Sequence, residues 1–88
     1  MRKDTAKNLV KIINCLKTAE EGWIWFREIS RRTKLHHKTV SRLINRYLSM
    51  FVEIQPVEPF NLKMVRLRKD VDVNGILRYL ELKERLED

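Results

Sequence analysis

Glycine and proline are scarce in this chain, two of each in 88 residues. That leaves no material for a glycine-rich phosphate loop, a flexible linker or a low-complexity tract. Cysteine occurs once, at Cys15, so neither an intramolecular disulfide nor a thiolate metal cluster can form within the chain. A reducing, cytoplasmic compartment is expected. No apolar run is long enough for a membrane span and no signal-peptide pattern is present, so neither a membrane nor export is expected. Acidic residues are missing from one region in particular. Residues 27–46 hold seven cations against Glu28 alone, whereas residues 69–88 hold four cations against six acids.

The formal charge of +7 is therefore concentrated in twenty residues. Concentration of this kind is expected where a polyanion is the partner. The competing reading is a solvated cationic face of the sort found in heat-stable proteins, but ion-pair networks need nearby acids and this run has one.

Helical periodicity shows what that region is built from. With Val40 at zero on a wheel of about 100° per residue, Leu43, Ile44, Tyr47 and Phe51 fall within roughly 60° of it and form a core-facing stripe. Lys38, Ser41, Arg42, Asn45, Arg46 and Ser49 occupy the opposite arc, where every side chain can hydrogen-bond and none is acidic. A shorter helix before it, Arg27 to about Thr33, buries Ile29 and presents Arg27, Arg31 and Arg32. Lys34 and Leu35 form the turn between them, and His36 stands where an N-cap is expected.

The run EISRRTKLHHKTVSRLINRYL resembles the helix-turn-helix of winged-helix transcription regulators of the small prokaryotic or archaeal type. Ile29, Leu35, Val40 and Leu43 match the family's buried positions, Ser30 its small residue at the helix contact, and Thr39 to Ile44 the most specific part of its pattern. Two positions depart from it. Lys34 stands where a left-handed glycine is usual, which costs a non-glycine residue about 1 kcal/mol. His36 stands where a serine or threonine cap is usual.

The resemblance implies a single domain over residues 1–88, mainly α with a small antiparallel β-hairpin (α+β), in the winged helix-turn-helix order α-β-α-α-β-β-α. The first helix is expected over about 4–20, capped by Asp4 or Thr5 and ended by Gly22. A short strand then follows at Gly22–Trp25, with Trp23 and Trp25 on one side, packing at the core or domain edge, and Ile24 on the other. A hairpin is expected from Val52–Pro56 and Lys63–Arg68, with residues 57–62 as a wing that contributes weakly because its tip carries Glu58 and no cation. Asp72 is expected to cap a last helix over about 72–87.

By that likeness the chain is expected to be a sequence-specific regulator of transcription that binds double-stranded DNA, nucleoid-associated, with its recognition helix at about 37–50 in the major groove. Lys38, Thr39, Ser41, Arg42 and Asn45 are the expected base contacts. Arg27, Arg31, Arg32, Lys34, His36, His37, Arg46, Lys63, Arg66 and Arg68 are the expected phosphate contacts. A homodimer is expected through the terminal helices, by way of Leu9, Ile12 and Leu16 on the first and Tyr79, Leu82 and Leu86 on the last, since both helices carry more apolar surface than one packing contact needs. A winged-helix adaptor for protein partners is the alternative, and RNA binding a less favoured one.

Neither an enzyme nor a cofactor is expected. His36 and His37 are the only candidate bases, and on a helix adjacent side chains diverge, so they serve capping or phosphate contact and no metal site is expected. Cys15 lies at the edge of the first helix's apolar arc, where an inert, half-buried thiol is expected.

Overall fold

The computed structural model describes residues 2–19, 22–59 and 62–87, with 84–87 by backbone alone. The chain runs α1 (Lys3–Lys17), β1 (Ile24–Trp25), α2 (Phe26–Thr33), α3 (His37–Leu43), β2 (Val52–Val57), β3 (Leu62–Leu67) and α4 (Val73–Glu87). It is a mainly helical α+β fold with one small antiparallel sheet.

α1 is the helix around which the others pack. Leu9, Ile12, Ile13, Cys15 and Leu16 are all buried, against α2, α3 and β3. The breadth of its apolar arc therefore reflects three neighbours within the chain. Leu9, Ile12 and Leu16, at 1%, 0% and 3% exposure, have no surface left for a second subunit, and their assignment to a dimer interface is overturned. Cys15 is likewise buried, at 7% exposure, and not half-buried.

The ends of α1 also differ from expectation. The helix starts at Lys3 with no side-chain cap, Asp4 instead placing negative charge in the positive first turn. It stops at Lys17, several residues before Gly22, and the Thr18 hydroxyl donates to the Cys15 carbonyl at 3.1 Å. Gly22, at φ +84°, turns the chain toward β1.

The turn between α2 and α3 has the expected left-handed residue, Lys34 at φ 62°. Its neighbours hold it. Ser30 donates its hydroxyl to the Leu35 carbonyl, and Thr33 donates to the Ile29 carbonyl while accepting from the Leu35 N–H. The Ser30 hydroxyl thus ties α2 to the far side of the turn.

α3 does not continue as an α-helix to residue 50. It passes into a π-helical turn, Ile44–Leu48, and then a 3-10 turn, Ser49–Phe51. The change of pitch puts Leu48 fully in the core, a position that a uniform 100° wheel sets off the apolar stripe, and leaves Phe51 half-buried.

The strands pair in the order β1-β3-β2, with Ile24 opposite Val65 on one side of β3 and Ile54 opposite it on the other. The hairpin lies within a residue of expectation at each strand. Phe60 and Asn61 in the expected wing lie outside the described residues. Ile24, Val52 and Val65 face the helices and are buried. By the two-residue period of strands, Trp23, Trp25, Met64 and Arg66 lie on the outer face with Glu53 and Gln55. Both tryptophans are half-buried there and neither belongs to the core.

Asp72 caps α4, its Oδ1 accepting from the Asn74 N–H at 3.3 Å. Ile76 and Leu80 are buried, while Leu77 is 40% exposed. Tyr79 meets Phe51 edge-on at 5.2 Å, which seats α4 beside the 3-10 turn. Tyr79 and Leu82 keep 37% and 57% of their surface exposed, as a surface role requires; the side chain of Leu86 lies outside the described residues.

Two substitutions test this packing. Lys34→Gly is expected to stabilise the chain by about 0.5–1 kcal/mol in denaturant unfolding, relief of left-handed strain outweighing the added freedom of the unfolded state. Destabilisation would mean the turn is not held at positive φ. Leu48→Ala is expected to cost about 2–5 kcal/mol, against less than about 0.5 kcal/mol for exposed Met50→Ala; equal losses would place the π-helical turn wrongly.

Candidate nucleic-acid interface

α2 and α3 pack against each other across the clasped turn, with Ile29, Val40 and Leu43 in the core. Burying that stripe leaves the other arc of α3 outward. Lys38 and Arg42 are exposed along it, as are Asn45 and Arg46 on the π-helical turn that continues it, while Thr39 and Ser41 are half-buried. Lys38 and Asn45 are about 10 Å apart along the axis at 1.5 Å per residue, roughly the reach of a few base steps. Asn45 donates to the Ser41 hydroxyl at 3.4 Å, which settles its amide on the outer arc.

His36 is the cap its position suggested, its Nδ1 accepting from the Lys38 N–H at 3.1 Å. Because His36 stands outside the helix and not on it, its ring does not diverge from that of His37. The two stack at 4.3 Å with their planes 29° apart. Both are exposed at the N-terminus of α3, beside Lys34 and Lys38.

The cations divide into committed and uncommitted groups. Arg31 grips both oxygens of Glu28, and Arg32 donates from Nε to the same carboxylate at 3.0 Å. Those hydrogen bonds, from Arg31 first and Arg32 second, lower the Glu28 pKa to about 2. Arg31 and Arg32 remain exposed, yet half their joint charge is cancelled. Arg66 is spent more fully: it donates to Glu53 at 2.7 and 3.0 Å and lies 4.4 Å over the Trp23 ring. These contacts tie the outer sheet face together, and Glu53 competes with any phosphate for this guanidinium. Arg68 donates to the Val52 carbonyl at 3.4 Å, and Lys63 stays exposed on β3.

Arg27, Lys34, Lys38 and Arg42 have no acidic partner among the described residues, and Arg46 lies 5.5 Å from the centre of the Tyr47 ring. Lys83, from α4, reaches the same ring at 5.2 Å. No periodicity within α3 or α4 signals that contact, because it depends on how α4 folds back across the π-helical turn. The described residues contain no group of three or more His, Cys, Asp or Glu able to hold a metal, and no described helix is long and apolar enough to cross a membrane. No protein-family model, curated protein or solved structure matches the chain.

The Glu28 clamp has a pH signature. Its folded pKa is depressed from 4.5 to about 2, so its contribution is complete above pH 4.5 and is lost as the pH falls toward 2. Glu28→Gln is expected to flatten the dependence of the unfolding midpoint on pH in that window. Parallel profiles for the two proteins, measured by chemical denaturation from pH 2 to 6, would show that the clamp does not form.

Proposed function

We propose that the chain is a sequence-specific, double-stranded DNA-binding transcription regulator with winged helix-turn-helix architecture, acting by binding and not by catalysis. The observation that carries this reading is the outward arc of α3 and the π-helical turn after it, where exposed Lys38, Arg42 and Arg46 have no carboxylate to neutralise them among the described residues. The element order and the β1-β3-β2 sheet support the architecture, with α3 as recognition helix and the β2–β3 hairpin as wing.

In the major groove each base pair has its own pattern of donors and acceptors. Lys38 and Arg42 read guanine edges, Asn45 reads adenine, and Thr39 and Ser41, half-covered, contribute at the periphery. Arg27, Lys34, His36, His37 and Arg46 bind phosphate and fix the register, with Lys83 as an addition from α4. The wing contributes little, since Arg66 is occupied and Glu58 repels phosphate. A homodimer forms through the exposed face of α4 at Tyr79 and Leu82 and reads half-sites about one helical turn apart.

A second reading is favoured by one observation. The outer sheet face groups Trp23, Trp25 and Met64, residue types enriched at protein interfaces, so the domain serves as an adaptor for a protein partner.

Four cations assigned to phosphate, Arg27, Lys34, Arg46 and Lys83, set an expected slope of log K against log salt of about −3.6 per bound chain, at about −0.9 each. Titration of labelled duplex between about 50 and 200 mM salt measures it. Arg42→Ala with Arg46→Ala is expected to abolish binding while the melting temperature holds. Salt-independent binding, or an undiminished double variant, would favour the adaptor.

A further inference from the structure

A cleft of ≈ 440 Å³ opens where the C-terminal turn of α1 meets that of α2. Lys11, Asn14, Cys15 and Thr18 line one side, and Arg32 and Lys34 line the other. Three of these side chains are cations, and no carboxylate is among its described lining residues. Lys11 was no part of the basic run of residues 27–46; it comes to the cleft only because α1 packs against α2.

Helix C-termini are negative ends that attract cations, which offers an ordinary reason for the cluster. Several of the carbonyls at these ends already have donors, however. The Thr18 N–H donates to Asn14, its hydroxyl to Cys15, and the Thr33 hydroxyl to Ile29. Neither Lys11 nor Lys34 makes a hydrogen bond or ion pair among the described residues. Arg32 is held by Glu28 through Nε, which orients the guanidinium, and its side chain also lies within hydrogen-bond reach of the Cys15 thiol in the cleft wall. Burial raises the Cys15 pKa, so the thiol in the cleft wall stays neutral and adds no competing negative charge.

We infer that this cleft binds a phosphate-bearing anion. Two uncommitted ammonium groups and one oriented guanidinium suit a polyvalent anion better than a single carboxylate, and the planar fork of arginine matches phosphate oxygens in pairs. The Asn14 amide supplies a neutral donor beside them. The volume falls in the range that accepts a small organic ligand, well beyond one phosphate ion. The phosphate comes either from a free phosphorylated small molecule or from a DNA strand passing the α2–α3 turn.

The test is a titration of the full chain, labelled with nitrogen-15, with inorganic pyrophosphate at constant ionic strength, with acetate as comparison. Saturable amide shifts are expected at Asn14, Thr18, Thr33 and Lys34, with a dissociation constant on the order of millimolar or tighter, and no saturation with acetate. Lys11→Gln is expected to weaken pyrophosphate binding about tenfold with the melting temperature unchanged; Lys34→Gln, on the opposite wall, is a second variant with the same expectation. Shifts that never saturate, or that spread evenly over all exposed cations, overturn the site. So does a Lys11→Gln protein that binds as well as the parent.

Repeating the titration with duplex present separates the sources, and both results uphold the site. Displacement of pyrophosphate by duplex assigns the phosphate to the strand, and simultaneous binding assigns it to a free solute. The pyrophosphate measurement contains no DNA, so it stands or falls independently of the proposed function.

Discussion

The left-handed residue between α2 and α3 decides how the two helices cross, and the crossing decides which arc of α3 meets water. Lys34 sits in a conformation that disfavours every residue except glycine, and the strain persists because the surroundings over-determine it. Ser30 closes the turn from one side, Thr33 from within, and His36 starts the next helix from the other. With the turn fixed, Ile29, Val40 and Leu43 can be buried together only if Lys38, Arg42 and Asn45 point outward. The exposed polar arc is thus a consequence of the core and of the turn at once.

Charge alone does not define the interface. Within twenty residues the sequence holds seven cations, yet the structure sorts them by partner. Glu28 draws Arg31 and Arg32 into a local cluster, and Glu53 with Trp23 holds Arg66 on the sheet. What remains uncommitted lies at the turn, along α3 and at Arg27 on α2. A salt-bridged arginine on the surface is worth little to stability, but its pairing matters for binding, because the carboxylate offsets part of the charge that a phosphate meets.

Much of the fold was legible in advance where the signal is local. Strand alternation placed the hairpin to within a residue, Asp72 and His36 marked helix starts, and the positive φ at Lys34 followed from its place in the turn. Features that depend on contacts between distant segments were not legible. The broad apolar arc of α1 suggested a second subunit, whereas three neighbours in the same chain cover it. The π-helical turn that buries Leu48 leaves no periodic trace, since a change of pitch is what a uniform wheel assumes away. The joining of Lys83 to Tyr47, and of Lys11 to Arg32 and Lys34, likewise required the folded chain.

The most direct measurement of whether the outward arc of α3 meets nucleic acid is a map of amide shifts on adding a duplex carrying a selected binding sequence. Resonances from Lys34 to Arg46 are expected to move or broaden together, while those of Trp23, Trp25 and Met64 on the outer sheet face stay in place. A footprint centred on the tryptophans, with the amides of Lys38, Arg42 and Asn45 unmoved, would contradict the role assigned to α3.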